Sequence, residues 1–413
     1  MGRISFSWLF PDTSDSGKVM LRICELVFNL NLMWPCRESR KILLTSCVVT
    51  TLVNIFVFYG IFRYIVESIN EFDKITYALF MILLPVLPLL KMPVIACKSK
   101  EFKKLINQIC IEYWPSDIMD TTDKDGFKGI YTVGFVVIGT LWFLGFLFTT
   151  VVWTRPLFFS EKTLPLPSSY PLGWLNDSTF WAFFTLQAIC IGFFIYVGTI
   201  AADFLILAVC LYTANQFYIL QQCFLVYNTD AMAEVNKKLR VLDKEDMRKY
   251  YGYTEKEYLV RCVKHHAMLL RLTKDINKAF SPIELGHLFI TILGVCLGTF
   301  TLSNQDVESF LRLLALLYTI GFTFQLSIDC VTGNELFYQA SLLPGCLFQS
   351  NWRTLADNEL RKDVMFVIQH TQRIPQYTAY GLYDLNINSY IKVLKLAFSA
   401  YTFLTNVSTI SKK

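Results

Sequence analysis

Polar side chains recur along the stretch from Asn386 to Ile410, which is otherwise apolar and long enough to cross a bilayer. They alternate at intervals of three and four residues: Lys392, Lys395, Ser399, Thr402, Asn406 and Thr409. In a helix this spacing puts them on one face. Because a polar side chain in hydrocarbon is costly, we expect that face to meet water or protein. The pattern is typical of a conduit through a membrane.

Residues for enzymatic chemistry are not apparent. The sequence has no glycine loop for phosphate, no Cys-x-x-Cys pair and no Gly-x-Ser-x-Gly motif. His265 and His266, near Glu255 and Glu257, raise the possibility of a metal site, but adjacent helical residues point about 100° apart. We therefore expect a polar cytoplasmic helix face there, and neither an enzyme nor a bound cofactor or metal.

The elements that position these residues are membrane helices. The chain is 54% hydrophobic and only 17% charged, against roughly 25% charged in an average soluble domain. This composition predicts an all-α, multi-pass membrane protein. Seven crossings are predicted, at 42–62, 75–97, 129–154, 178–202, 283–302, 310–328 and 386–410.

The run 178–226 allows either one crossing or two. Taken as one, the Lys and Arg counts between crossings are six, two, six, two, twelve, none and four. Basic residues favour cytoplasmic loops, so this alternation predicts a cytoplasmic amino terminus and an extracellular carboxyl terminus. The second half of the long helix would then be cytoplasmic, and uncharged residues such as Asn215, Gln216 and Gln221 should be buried against other protein.

Three smaller features fit this topology. Asn176-Asp177-Ser178 is a glycosylation sequon in the second external loop. Leu21 to Trp34 is amphipathic and is expected to lie along the inner membrane face. Asp203, near the inner end of its crossing, could pair with a basic residue, cap a cavity or reach water.

The net charge of +5 is explained by the cytoplasmic loops and requires no nucleic acid.

A candidate pocket lies in the outer halves of four crossings, which carry aromatic side chains and few polar groups. Its residues are Tyr77, Phe80, Met81, Trp142, Gly145, Phe146, Thr149, Phe184, Gln187, Ile191, Tyr318 and Phe322. Such walls suit small apolar ligands, although ordinary helix packing explains them equally well. A single ligand oxygen could bond to Thr149, Gln187, Tyr77 or Tyr318.

Linked motifs in the carboxyl-terminal third resemble those of the insect odorant receptor family, the seven-helix odorant-gated cation channels. These are Gly333-Asn334-Glu335-Leu336, Ser341, Trp352, Arg361, Met365, Arg373, Pro375, Thr378-Ala379, Leu385-Asn386 and Phe398 to Leu404. The resemblance implies a tetramer whose central pore is lined by the last crossing. It also implies four segments: a cytoplasmic 1–41, the helices and pocket in 42–351, an anchor helix in 352–384 and the pore helix in 385–413.

Within that family the chain resembles an odorant-tuned subunit, since it lacks the co-receptor's long insertion between the fourth and fifth crossings. The resemblance implies mixed tetramers with the insect olfactory co-receptor in the plasma membrane of olfactory sensory neurons. It places the gate at Leu404, with Tyr401 below and Val407 and Ser408 toward the outside. The row of polar side chains from Lys392 to Thr409, here called the polar stripe, points away from Leu404. The surface that this stripe contacts is therefore not assigned. Gustatory receptors of the same fold are the nearest alternative, ahead of a G-protein-coupled receptor or a transporter.

Overall fold

The structure is a computed structural model that describes residues 16–115, 118, 124–158, 163–171, 174, 176, 178–242, 255–304 and 307–411. The helices are α1 (Ser16–Leu30), α2 (Arg40–Glu67), α3 (Phe72–Cys97), α4 (Ser99–Glu112), α5 (Lys124–Phe158), α6 (Phe180–Ile189), α7 (Gly198–Leu225), α8 (Asp230–Leu242), α9 (Glu255–Ser303), α10 (Ser309–Gln349), α11 (Asn358–Thr371) and α12 (Ile387–Ser411). Two strands of two residues each, β1 (Thr378–Ala379) and β2 (Tyr383–Asp384), pair antiparallel just before α12.

The predicted all-α membrane fold is confirmed, and each of the seven predicted crossings falls on a helix. Six helical stretches among the described residues are long and apolar enough to span a bilayer: Arg40–Glu67, Lys74–Cys97, Gly134–Thr154, Phe180–Leu225, Glu255–Ser303 and Ser309–Thr354. The seventh, α12, has the required length but carries the polar stripe. Several helices extend well beyond a bilayer's thickness, most of all α9 with its 49 residues.

The long run that allowed one crossing or two is a single continuous helix, Phe180–Leu225. It comprises α6, a π-helical stretch at Cys190–Val197, and α7. The prediction that polar residues in its second half are buried against protein is also confirmed. Gln216 makes two hydrogen bonds to the backbone of Trp114, and Gln221 donates to Gln339.

The apolar residues of α1, including Cys24 and Phe28, pack in the same core as α7, and the position of this helix along the inner membrane face stays a prediction. One expectation about the surface was wrong. His265 and His266 do not form a polar face, because both are buried. The imidazole of His265 stacks on the Trp114 indole with ring centroids 3.7 Å apart. These two histidines are covered by an apolar core between helices, although the sequence suggested that they were exposed.

Candidate ligand cavity and pore helix

A cavity of about 100 Å³ lies between α3, α5, α10 and the long helix Phe180–Leu225. Its walls are mostly aliphatic and aromatic, with Leu84 from α3, Phe148 from α5, Ile195 from the π-helical stretch and Leu317 from α10. These four elements correspond to the second, third, fourth and sixth predicted crossings. The cavity is nearer the middle of those crossings than to their predicted external ends.

A glycine on α5 allows the close helix packing on one side of the cavity. A Cβ atom built on Gly145 would lie 1.8 Å from the ring of Tyr196, so the space left by this glycine is filled by that ring. The Tyr196 hydroxyl donates to the carbonyl oxygen of Trp142, one turn earlier on α5. α5 and the long helix are therefore fixed to each other where they border the cavity.

An aromatic cluster forms another side. The ring of Tyr318 lies 4.9 Å from that of Phe80 and 4.3 Å from that of Phe322, measured between centroids. Phe148 adds a fourth ring, 5.8 Å from Tyr318. Gly294 of α9 makes room behind them, since a Cβ there would come within 2.6 Å of Phe322.

Two residues that border the cavity carry buried hydroxyls whose hydrogen-bonding capacity is unused within the described part of the chain. The Tyr318 hydroxyl and the Thr199 Oγ1 atom are buried and have no hydrogen-bond partner among the described residues. The Thr149 hydroxyl, by contrast, donates to the Gly145 carbonyl oxygen at 2.8 Å. A buried polar atom without a partner is costly, so a ligand oxygen that reached Tyr318 or Thr199 would be stabilised there.

The polar end of the cavity leads to a buried ion pair. Gln325, which lines the cavity, donates to Asp203 Oδ2, and the Lys91 amine donates to Oδ1 of the same carboxylate. Lys91 and Asp203 are both completely buried. The pair joins α3 to α7, and Gln325 adds α10. Of the three alternatives for Asp203, pairing with a basic residue is confirmed.

The helix α12 packs on α9 and α10, and the buried side chains among its described residues lie in its first half. Val393 and Ala397 are buried, whereas Phe398 and Phe403 are mostly exposed. Every described residue of the polar stripe, from Lys392 to Asn406, is also exposed. The second half of α12 therefore presents both an apolar and a polar surface outside its own chain.

Most of the sequence matches the model of a known family. The sequence model described as "7tm Odorant receptor" matches residues 71–398, more than three quarters of the chain. The chain belongs to the odorant receptor family. This match also decides the family in favour of the odorant receptors over the gustatory receptors.

Individual odorant receptors are similar over most of their length. Odorant receptor 13a of Drosophila melanogaster is 20% identical, with 92% of this chain and 93% of the relative covered. Odorant receptor 83a of the same species is 23% identical over 70% and 72% of the two chains. The solved insect olfactory receptor OR5 from Machilis hrabei, in complex with eugenol, is 15% identical with a TM-score of 0.74, over 94% of this chain and 98% of that chain.

Five of the twelve pocket residues that were predicted from the sequence of this chain line the cavity. They are Gly145, Thr149, Ile191, Tyr318 and Phe322. Tyr77, Phe80 and Met81 are buried in the apolar cluster that surrounds Tyr318, and Trp142 is held behind Tyr196.

The remaining three lie elsewhere. Phe146 points away from the cavity and is 65% exposed. Phe184 packs in a separate cluster with Phe180 and Tyr170. Gln187 is fully buried, but its amide is engaged with the loop before α6, through Leu166, Ser168 and Tyr170. It positions that loop and has no contact with the cavity.

Sequence reasoning missed Lys91, Thr199, Tyr196 and Gln325. Lys91 gave a usable signal, because it is the only charged residue between Ile75 and Cys97 and a buried intramembrane charge requires a partner. The other three belong to helices that are apolar on most faces, so the sequence does not indicate which face of each helix borders the cavity.

Of the predicted pore residues, Tyr401 and Leu404 are half-buried and Val407 is exposed, while the Ser408 side chain lies outside the described residues. Asn176 is exposed just before α6, and its Oδ1 accepts a hydrogen bond from the Thr179 backbone amide at 3.1 Å.

Proposed function

We propose that this odorant receptor is an odorant-tuned subunit that binds a small volatile molecule in the cavity between α3, α5, α10 and the long helix, and opens a cation pore lined by α12. The observation that carries this proposal is an apolar cavity bordered by two unpartnered hydroxyls, Tyr318 and Thr199. That combination suits a molecule with an apolar body and a single oxygen. The eugenol bound to the Machilis receptor of the same fold supports a small-molecule ligand.

The size of the cavity limits the ligand. An apolar cavity of about 150 Å³ in another protein holds benzene. The cavity here, at about 100 Å³, suits a smaller molecule as it stands. A larger odorant would need Phe148 or Tyr318 to change rotamer, and this movement would transmit binding to α5 and α10.

The helix α10 is the route from the cavity to the pore in this proposal. Tyr318 borders the cavity, and 15 residues later Gly333 packs directly against the backbone before α12, where a Cβ on Gly333 would lie 2.3 Å from the Leu385 carbonyl oxygen. At about 1.5 Å per residue, this is roughly 22 Å along one rigid helix. An odorant that shifts α10 at Tyr318 would therefore also move the start of α12.

The pore itself is assigned to α12 of each subunit, with Leu404 as the apolar constriction and Tyr401, Val407 and Ser408 around it. Tyr401, Leu404 and Val407 are at least partly exposed in the single chain, so they are available to an assembly. An apolar constriction blocks ions by excluding water, and an odorant that stabilises a wider conformer would open it.

Membership of the family supports a proposal for the assembly and the location. We assign the channel to a mixed tetramer with the insect olfactory co-receptor, in the plasma membrane of olfactory sensory neurons, with the amino terminus cytoplasmic. The alternating counts of basic residues between crossings support this orientation. Its anchor region would include α11 and the cytoplasmic parts of α7 and α9.

The test is whole-cell current at fixed voltage from cells that express the chain with and without a co-receptor, challenged with a panel of volatile compounds. Odorant-evoked cation current that requires both chains is expected. Tyr318→Phe should raise the half-maximal concentration roughly 2- to 12-fold for oxygen-bearing odorants, the equivalent of about 0.5 to 1.5 kcal/mol, and leave a hydrocarbon odorant unaffected.

The matched control is Tyr338→Phe, on the exposed surface of the same helix. It should leave both responses unchanged. No current from surface-expressed pairs would refute the channel proposal, whereas equal sensitivity of wild type, Tyr318→Phe and Thr199→Val to every odorant would refute the ligand site alone.

A further inference from the structure

Three ionisable side chains meet in the interior beyond the polar end of the cavity. Glu284 and His287 project from α9 and Asp329 from α10, and each is about 1% exposed. One possible ligand atom from each lies within 4.8 Å of those from the other two. The cluster is distinct from the odorant cavity and from the pore helix.

The spacing of the first two residues is that of metal-binding helices. Glu284 and His287 are separated by three positions, so both side chains lie on one face of α9. Glu-x-x-His on one helix, combined with a carboxylate from a facing helix, is how helical bundles hold divalent metal ions. Asp329 supplies that facing carboxylate.

Two buried polar atoms of the cluster lack a hydrogen-bond partner in the described part of the chain. His287 Nδ1 and Asp329 Oδ2 share a hydrogen bond at 2.7 Å. His287 Nε2 and Asp329 Oδ1 are buried and have no partner anywhere in the part of the chain that the structure describes. Leaving buried polar atoms unsatisfied is costly, and a metal ion bound at either atom would satisfy it.

The formal charges point in the same direction. Among the groups that act electrostatically on Glu284, Lys91 is paired with Asp203, and these two charges cancel. The carboxyl groups of Glu284 and Asp329 are left over, beside an imidazole that binds metals in its neutral form. A divalent cation would compensate the charge of both groups when they are ionised, in an interior where an uncompensated carboxylate is costly.

We propose that Glu284, His287 and Asp329 bind one divalent transition-metal ion, with water completing its coordination. A mixed nitrogen and oxygen ligand set favours ions such as Zn²⁺ over Ca²⁺ or Mg²⁺, which prefer oxygen alone. The Tyr377 hydroxyl donates to Glu284 Oε1 at 2.8 Å, an outer hydrogen bond of the kind that orients metal-binding carboxylates.

The position of the site gives it a structural consequence. Its ligands come from both α9 and α10, and Tyr377 accepts a backbone hydrogen bond from Leu385 at 2.9 Å, just before α12. The metal would therefore tie the two long helices to the segment that leads into the last helix.

The experiment uses the full chain, purified without a histidine tag, stripped with chelator, incubated with ZnCl₂ and desalted, with retained zinc counted by mass spectrometry. One zinc per chain and a higher melting temperature with zinc are expected for the wild type. Glu284→Gln and Asp329→Asn, which are nearly isosteric, should each weaken zinc binding at least about tenfold.

Control variants remove exposed groups of the same chemistry: Glu101→Gln and His370→Gln. Both should retain one zinc. If the amide variants fail to fold, Asp329→Glu, which keeps a carboxylate, should still bind zinc while His287→Phe should not. Wild-type zinc no higher than that of Glu284→Gln would overturn the proposal, as would amide variants that stabilise a protein whose melting temperature does not respond to zinc.

Discussion

Lys91 of α3 donates to Asp203 of α7 in an ion pair that is completely removed from solvent. Burying two charges is costly, and their mutual attraction compensates only when the geometry is good and the remaining lone pairs are satisfied. Gln325 provides that additional hydrogen bond to Asp203. Since Gln325 also lines the cavity, the pair supports the wall to which a ligand would bind.

Breaking this pair should be strongly destabilising. Lys91→Met leaves the Asp203 carboxylate buried and unpaired, and we expect a loss of about 3 to 5 kcal/mol in the free energy of unfolding. Thermal unfolding of the purified chain in lipid discs measures this effect. The double variant with Asp203→Leu should recover much of the loss, because both charges are then absent.

The control for this substitution is Lys74→Met, whose partner Glu71 is on the surface. It should have little effect, because exposed pairs contribute little to stability. A Lys91→Met melting curve that matched the Lys74→Met curve would show that the buried pair is dispensable.

Gly145 is the contact point between α5 and the long helix, and Gly145→Ala should disturb the cavity. The added Cβ would overlap the ring of Tyr196, which must then move toward the cavity or away from α5. We expect reduced surface expression and a weaker odorant response. Gly139→Ala on the same helix meets nothing within 4 Å and should be neutral or slightly stabilising. Equal responses from the two variants would argue against close packing at Gly145.

The gate assignment predicts a constitutive current. Leu404→Ala removes part of the apolar constriction, so water and ions should pass more readily without odorant. The ratio of basal to odorant-evoked current in cells expressing the co-receptor is the measurement. Thr402→Ala, on the opposite side of α12, is the control and should leave that ratio unchanged. If Thr402→Ala raised the basal current and Leu404→Ala did not, the polar stripe would be the pore face.

Membrane orientation can be tested at the two Asn-x-Ser sequons Asn176-Asp177-Ser178 and Asn406-Val407-Ser408. Asn176 is exposed in a segment predicted to be external, so the expressed chain should carry a glycan that a glycosidase removes. Asn176→Gln should abolish the glycosidase-sensitive shift on a gel, and Asn406→Gln, within α12, should not. A wild-type chain that reaches the cell surface without any glycan would contradict the predicted exposure of this loop.

Acid should weaken the region around His265 and His266. Burial lowers the pKa of His265 to about 3 and that of His266 to about 4, so the unfolded chain takes up these protons at a higher pH than the folded chain does. Their stabilising contribution is complete above about pH 6.5 and declines as the pH falls toward the folded values. Each histidine should cost about 2 kcal/mol between pH 7 and pH 5.

The pH dependence of thermal unfolding measures this cost. His265→Phe keeps a ring to stack on Trp114 and removes one titrating group, so its stability should fall less steeply with acid. His370→Gln removes an exposed imidazole and should follow the wild-type curve. Identical slopes for all three proteins would mean that these histidines do not determine the acid sensitivity.

Sequence reasoning worked best where a pattern depends on whether a side chain meets water or hydrocarbon. The count of basic residues favoured one crossing for the run 178–226, which is the continuous helix Phe180–Leu225, and the uncharged polar residues of its second half are buried as expected. Both inferences depend on the cost of placing polar groups in the wrong medium, and this cost is large enough to leave a clear signal.

The same reasoning worked poorly for helix rotation. Phe146 and Phe148 are equally apolar, yet one is exposed on the outer surface and the other lines the cavity. In a bilayer both environments favour the same side chains, so hydrophobicity cannot distinguish them. What decides is close packing, such as Gly145 against Tyr196, which joins residues 51 positions apart and leaves no local pattern.

The exposed polar stripe of α12 also has a consequence for the cell that synthesises the chain. A chain synthesised without partners would present Lys392, Lys395 and Asn406 to lipid, where charged and amide groups are costly. Such a helix is a mark of incomplete assembly that membrane chaperones and degradation machinery can recognise. If the proposed mixed assembly forms, abundance at the cell surface would follow the supply of the scarcer subunit.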